Sequence, residues 1–141
     1  MGKLHTPDRP VGSHCILELQ GCPFNLLDDE QFIRRALTEA SQRGMSTLLE
    51  LSSYKFHPQG VTALGLLSES HISIHTWPEN GYAAVDVFTC GDAQPELSCR
   101  FLAEIFEAAD YTLRVISRGF QSQSLRLTQF PEMQLQHAES A

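Results

Sequence analysis

The four cysteines of this 141-residue chain, Cys15, Cys22, Cys90 and Cys99, include no C-x-x-C pair, which excludes a zinc ribbon and a thioredoxin-like redox motif. Their number and spacing fit reduced thiols in a cytosolic protein. Long apolar runs are also missing: nothing approaches the roughly 18 residues that a membrane-spanning helix needs. The opening MGKLHTPDRPVGSH lacks the apolar core of a secretory signal, so a cytoplasmic chain with no membrane partner is expected. Positive charge is scarce, 10 lysines and arginines against 17 acids, for a formal net charge of −7. That balance repels phosphate backbones and acidic lipid, argues against a nucleic-acid partner, and tolerates a cationic ligand. Neither an internal repeat nor a low-complexity stretch divides the chain, and its length suits a single domain over residues 1–141.

Local patterns predict the order of elements. Residues 13–20 (SHCILELQ) alternate, with Cys15, Leu17 and Leu19 on one face, as a half-buried strand does. Residues 26–43 place Phe32, Ile33, Ala36, Leu37 and Ala40 at helical spacing, with acids early, Arg43 late and Gly44 as a stop. Residues 47–53 and 61–67 read as strands around the turn-rich KFHPQG. Residues 71–77 and 82–90 read as a hairpin across Asn80-Gly81. Residues 95–110 form a second amphipathic helix opened by Pro95, and residues 111–117 a last strand. The fold class expected is α+β, a two-layer sandwich of a mostly antiparallel sheet with two helices on one face. So short a chain has no third layer for the other face, so a homodimer pairing sheet against sheet, as αββα, is expected. Residues 1–12 and the polar tail from about Pro131 read as loose.

The distinctive chemistry lies in SESHISIHTWPENGYAAVDVFTCG, residues 68–91. His71 and His75 have the spacing of a helical metal pair, but Ile72 and Ile74 alternate with them, so the segment is a strand and the imidazoles stand roughly 13 Å apart. No metal site is expected. Taken singly, Ser70 reads as ladder decoration, Trp77 as hairpin packing on Ala84, Glu79 as a solvated turn acid, and His75 as a cross-strand partner of Asp86.

Together, ESHISIHTWPE and GYAAVDVFTCG resemble the signature of the S-adenosylmethionine decarboxylase family in its small prokaryotic, pyruvoyl-dependent form. KFHPQGVT is similar to that family's KFSPQGVS, and SHCILELQGC to its opening strand, so the resemblance runs from Val11 to about Gly119. It implies self-cleavage between Glu69 and Ser70 into residues 1–69 (beta chain) and 70–141 (alpha chain). In that chemistry Ser70 Oγ attacks the Glu69 carbonyl, the ester eliminates, and the residue left becomes a pyruvoyl cofactor that forms a Schiff base with substrate. The resemblance assigns processing support to Thr62, where serine is commoner in the family, the processing base to His75, and proton donation to Cys90. Phe56 and Trp77 are assigned to adenine and Glu79 to the ribose hydroxyls of S-adenosylmethionine. The product implied is the decarboxylated aminopropyl donor for spermidine synthesis.

With Asn80-Gly81 as a two-residue turn, Glu79 opposes Tyr82, Trp77 opposes Ala84, His75 opposes Asp86 and His71 opposes Cys90. His75 is then roughly 16 Å along the strand from Ser70, too far to take its α-proton. A site combining Ser70 and Cys90 of one protomer with Phe56, Thr62, His75 and Glu79 of its partner follows. Cys15, Cys22, Cys99, His5, His14, His57 and His137 read as ordinary structural residues, and His71 has no derivable role. The rival readings are a decarboxylase of arginine or ornithine on the same scaffold, and a non-catalytic regulatory homologue.

Overall fold

Alternation decides each layer of the sheet. In a computed structural model that describes residues 9–119, β1 (Gly12–Gln20) buries Cys15, Leu17 and Leu19 on one face. A single helical turn, α1 (Phe24–Leu27), precedes α2 (Glu30–Arg43), and then come β2 (Leu48–Lys55), β3 (Val61–Leu67) and β4 (Ser70–Trp77). A 3₁₀ turn (Pro78–Asn80) leads into β5 (Tyr82–Cys90), α3 (Pro95–Ile105) and β6 (Asp110–Arg118). The six strands form one wholly antiparallel sheet in the order β2-β3-β4-β5-β1-β6. Both long helices pack on the face that carries Cys15, Leu17, Ile72, Ile74, Val85 and Val87, giving the expected two-layer α+β arrangement.

The expected first helix is divided. Asp29 is extended (φ −97°, ψ 98°) and its side chain accepts from the Phe32 N–H at 3.0 Å, so α2 starts at Glu30 with an N-cap. Ile33, Ala36, Leu37 and Ala40 then face the sheet at helical spacing. The second helix ends earlier than expected, because Glu107 takes a left-handed φ of 53° and the Ala109 N–H binds the Gln20 carbonyl, starting β6 at Asp110. The N-terminal segment before residue 9 and the polar tail, with His5 and His137, lie outside the described residues.

The hairpin register differs from the expected one by two residues. Pro78–Asn80 form the 3₁₀ turn and Gly81 closes it at φ 61°, a left-handed conformation that glycine adopts without a Cβ clash. Four residues therefore make the connection instead of two. Trp77 opposes Tyr82, His75 opposes Ala84, Ser73 opposes Asp86 and His71 opposes Phe88. A slip of two keeps every side chain on its expected face, so the buried side is the one that alternation predicts.

Asp28, between the helical segments, ties the β2–β3 loop down. Its Oδ1 accepts from the Gly60 N–H at 2.9 Å and from Lys55 Nζ at 2.9 Å. The Gly60 amide first, then the Lys55 ammonium, hold the Asp28 carboxyl below its ordinary value. A depressed carboxyl contributes stability that is present above the ordinary carboxylate range and lost as pH falls through the folded value. Asp28→Asn is expected to cost about 1–2 kcal/mol at pH 7 and almost nothing once the Asp28 carboxyl is protonated in the folded and unfolded chain alike. Urea midpoints of the two proteins, compared at neutral and strongly acid pH, check this.

Candidate active site

The open face of the sheet carries Tyr54, Thr62, Leu64, Leu66, His71, Ser73, His75, Trp77, Asp86, Phe88, His14 and Arg118, by strict alternation from the buried set. Two clusters occupy opposite ends of β4 on or beside that face.

At one end, Leu67 opposes Ser70, so Ser68-Glu69 is a two-residue hairpin turn. Such turns favour glycine or asparagine with positive φ, and this one has neither. The departure falls on Ser70, whose φ of 148° is a region that residues with a Cβ rarely occupy. The surroundings hold it there. The Thr47 N–H donates to both Glu69 carboxylate oxygens at 3.1 and 3.2 Å, the Ser68 N–H donates to the Thr47 carbonyl, and the Cys90 N–H donates to the Glu69 carbonyl oxygen at 3.2 Å. Thus Cys90 stands beside the Glu69-Ser70 peptide, opposite Gly12 and not His71. Thr89, directly opposite Ser70, is buried with its hydroxyl unpartnered among the described residues.

Next to this turn His71 and His14 flank Phe88 from either side of β5, and both reach Asp86. His71 Nε2 lies 2.8 Å and His14 Nε2 2.7 Å from Asp86 Oδ2, while Ser73 donates to Oδ1. Ser70 Oγ is 3.2 Å from His71 Nδ1, and Arg118 donates to His14 Nδ1 at 3.3 Å. Burial, the largest influence on Asp86, opposes its charge, but hydrogen bonds from Ser73, His14 and His71 together outweigh it and hold the carboxyl below its ordinary value. His14, His71 and Asp86 also bring potential metal-ligating atoms within 4.8 Å of one another. The guanidinium beside His14 opposes a cation there.

At the other end, Thr62 opposes His75 and its Oγ1 lies 3.1 Å from His75 Nδ1. Asp86, expected across from His75, is two residues further along β5. Trp77 stacks on Tyr82, not Ala84, with centroids 5.4 Å apart and planes at 30°. Phe56 follows β2, its N–H bound to the Gly60 carbonyl and its ring 4.9 Å from Tyr54. Glu79 is exposed in the 3₁₀ turn. Within one chain, then, Ser70, Glu69 and Cys90 gather at one end, and Phe56, Thr62, His75, Trp77 and Glu79 at the other, separated by five residues of β4, roughly 16 Å.

Sequence reasoning missed His14, Ser73, Asp86 and Thr89 at the first cluster. An acid between valines in a central strand (Val85-Asp86-Val87) was the available signal, since an acid on an unlayered sheet face needs partners. Cys15, Cys22 and Cys99 are buried: burial pushes the Cys22 thiol up to about 11, and contact with Cys15 followed by burial pushes Cys99 up.

Residues 13–119 match the family model for S-adenosylmethionine decarboxylase. The chain belongs to the S-adenosylmethionine decarboxylase family. It is 53% identical over 123 residues to an S-adenosylmethionine decarboxylase proenzyme of Synechococcus sp. (strain WH7803), covering 86% of this chain and 96% of that one. A proenzyme of the same description from Parasynechococcus marenigrum (strain WH8102) is 57% identical over 109 residues, covering 77% of this chain and 85% of the relative. The crystal structure of the adenosylmethionine decarboxylase from Aquifex aeolicus superposes with a TM-score of 0.76 at 33% identity, over 84% of this chain and 98% of that one. Among the described residues no helix is long and apolar enough to cross a membrane.

Proposed function

We propose that this protein is a cytoplasmic, pyruvoyl-dependent decarboxylase of S-adenosylmethionine that cleaves itself between Glu69 and Ser70 into residues 1–69 and 70–141. The observation that carries the reading is the Glu69-Ser70 turn. Its serine is held at φ 148°, and its carbonyl already accepts a hydrogen bond from the Cys90 N–H. Opening that peptide releases backbone strain, and the amide is positioned where oxygen charge develops. The residues present also fit the cofactor: conversion of Ser70 creates a carbonyl acceptor beside the unpartnered, buried Thr89 hydroxyl. A pyruvoyl group supplies a ketone that takes up the substrate's amine and draws the electrons released with carbon dioxide.

The chain's own residues do the rest. Cys90, exposed beside the turn, donates a proton to the substrate carbon after decarboxylation. Phe56 and Trp77, 44% and 40% exposed at the same end of the sheet, offer aromatic faces to adenine and to the cationic sulfonium. Glu79 accepts hydrogen bonds from the ribose hydroxyls. Thr62 and His75 support processing, with His75 as the base that removes the Ser70 α-proton. That assignment needs a second copy, because His75 is roughly 16 Å from its own Ser70. The open face invites one: Tyr54, Leu64, Leu66 and Ile116 are exposed on it, and a two-fold axis through this face sets opposite ends of two antiparallel β4 strands together. The proposed assembly is a homodimer packed sheet to sheet, with two composite sites.

Adenine and ribose contacts have no purpose in a decarboxylase of arginine or ornithine, and the description shared by the relatives also favours S-adenosylmethionine. The test is the denatured intact mass of freshly purified protein, followed by carbon dioxide release from S-adenosylmethionine, arginine and ornithine as sole substrates. Two chains split after Glu69, the second lighter by one ammonia than a serine-started chain, are expected, with turnover of S-adenosylmethionine alone. A single 15.8 kDa species with no amine-reactive carbonyl points instead to the regulatory homologue.

A further inference from the structure

We infer that His71 is the base that activates Ser70 for self-cleavage, and that Asp86 is the positioning residue that orients it. The inference rests on the cleavage reading above and assigns the step that precedes the one given to His75.

Hydrogen-bond bookkeeping fixes the direction of the relay. Arginine only donates, so the Arg118 contact makes His14 Nδ1 an acceptor and puts the His14 proton on Nε2, aimed at Asp86 Oδ2. Ser73 donates to the other Asp86 oxygen. Asp86, ionised, only accepts, so the proton of a neutral His71 lies on Nε2 and also points at Oδ2. Nδ1 of His71 is then bare, and its neighbour is Ser70 Oγ at 3.2 Å, which must be the donor. A hydroxyl donating to an imidazole whose other nitrogen donates to a partly buried carboxylate is the arrangement by which serine nucleophiles are activated. Here it is built on consecutive strand residues and an acid from the next strand. The backbone distortion at Ser70 has a reason within it: strand alternation alone sends residues 70 and 71 to opposite faces, and the Ser70 hydroxyl nonetheless meets the His71 ring on the open side.

The step balances without a co-reactant. Ser70 Oγ forms a bond to the Glu69 carbonyl carbon as its proton passes to His71 Nδ1, and the Cys90 N–H meets the charge that builds on the Glu69 carbonyl oxygen. The bond from that carbon to the Ser70 nitrogen then breaks, and His71 returns the proton to the nitrogen. An ester and a free amine result, an isomer of the starting peptide. Asp86 stabilises the imidazolium that exists between the two proton transfers. His14 and Ser73 hold Asp86, and Arg118 holds His14.

The experiment follows cleavage of freshly translated full-length chains by denaturing mass spectrometry. His71→Gln and His71→Asn are expected to slow cleavage by about 100-fold or more, the usual worth of a positioned base. Asp86→Asn, which removes the charge but keeps the shape, is expected to slow it by about 10-fold or more, and His71→Gln/Asp86→Asn to be no slower than His71→Gln alone. An Asp86 that acts on cleavage independently of His71 gives additive losses instead. Hydroxylamine under mild, near-neutral conditions cuts esters far faster than amides, and cutting at Asn80-Gly81 gives a fragment of different mass, so release of residues 1–69 identifies the step. It is expected to release no residue 1–69 fragment from uncleaved His71→Gln, because the acyl shift has not occurred. Thermal unfolding of uncleaved His71→Gln matching that of uncleaved Ser70→Ala excludes a folding defect, and His71→Asn gives a second reading of the same loss. Cleavage of His71→Gln and His71→Asn at the wild-type rate, or hydroxylamine-sensitive ester in them, overturns this inference alone. A wild-type chain that stays whole overturns the decarboxylase reading and this inference with it.

Discussion

Ser70→Ala is expected to remain one uncleaved chain indefinitely and to show no decarboxylation of S-adenosylmethionine. The substitution removes a single oxygen, but in the proposed chemistry that oxygen is both the nucleophile and the atom whose departure with Glu69 breaks the chain, and without its loss the carbons of residue 70 cannot become the pyruvoyl group. No neighbouring hydroxyl substitutes for it: Thr89 opposes Ser70 on the buried face, Ser73 is committed to Asp86, and Thr62 lies at the far end of β4 beside His75. The fold is expected to persist, since Ser70 is half-buried at a turn and contributes nothing to the apolar layer of Leu17, Ile72, Ile74 and Val87. Alanine at φ 148° carries the same backbone strain as serine, so unfolding stability should change by less than about 1 kcal/mol. Intact mass and a carbonyl-reactive probe report the first outcome, and a urea titration reports the second. Cleavage of Ser70→Ala after Glu69 at the normal rate would falsify the proposed chemistry.

Co-expression of Ser70→Ala with His75→Ala is expected to restore activity that neither variant has alone. The two residues sit five positions apart on one extended strand, so one chain's His75 cannot serve its own Ser70. In a mixed dimer, one site combines an intact Ser70 with the partner's intact His75, and the other site carries both alanines. Random assembly puts half the dimers in the mixed class with one good site each, so about a quarter of wild-type activity is expected. Mixing the two proteins after purification, without exchange of subunits, should give none. The readouts are carbon dioxide release and the fraction of chains cleaved after Glu69. Restoration absent in a mixed dimer of confirmed composition means that each site is built within one protomer, through a movement of β4 that this fold does not show.

The same separation explains what was legible in the residues and what was not. Faces were legible, because strand alternation has a period of two and Ile72, Ile74, Val85 and Val87 declare the buried side. The ends of the hairpin were not, because Asn80-Gly81 is a strong signal for a two-residue turn and Pro78, which starts a 3₁₀ turn, outweighed it. The helix break at Asp28 and Asp29 was likewise hidden, since acids in a first helical turn and an N-cap acid preceding one look alike in sequence. Glu69 offered no hint that its carboxylate would accept the Thr47 amide, because that contact joins residues 22 apart.

The sequence by itself determined the family, the α+β class and which residues share the open face. These follow from motif identity and from periodicities that act over a few residues. Only the tertiary structure decided that Ser70 leaves the ordinary strand conformation, that the Cys90 amide reaches the Glu69 carbonyl, and that His14, far away in the chain, joins His71 on Asp86. Each of those depends on which strands become neighbours and in what register. Strand order β4-β5-β1 is a property of the whole sheet, set by burying one apolar layer under two helices, and no local stretch of residues contains it.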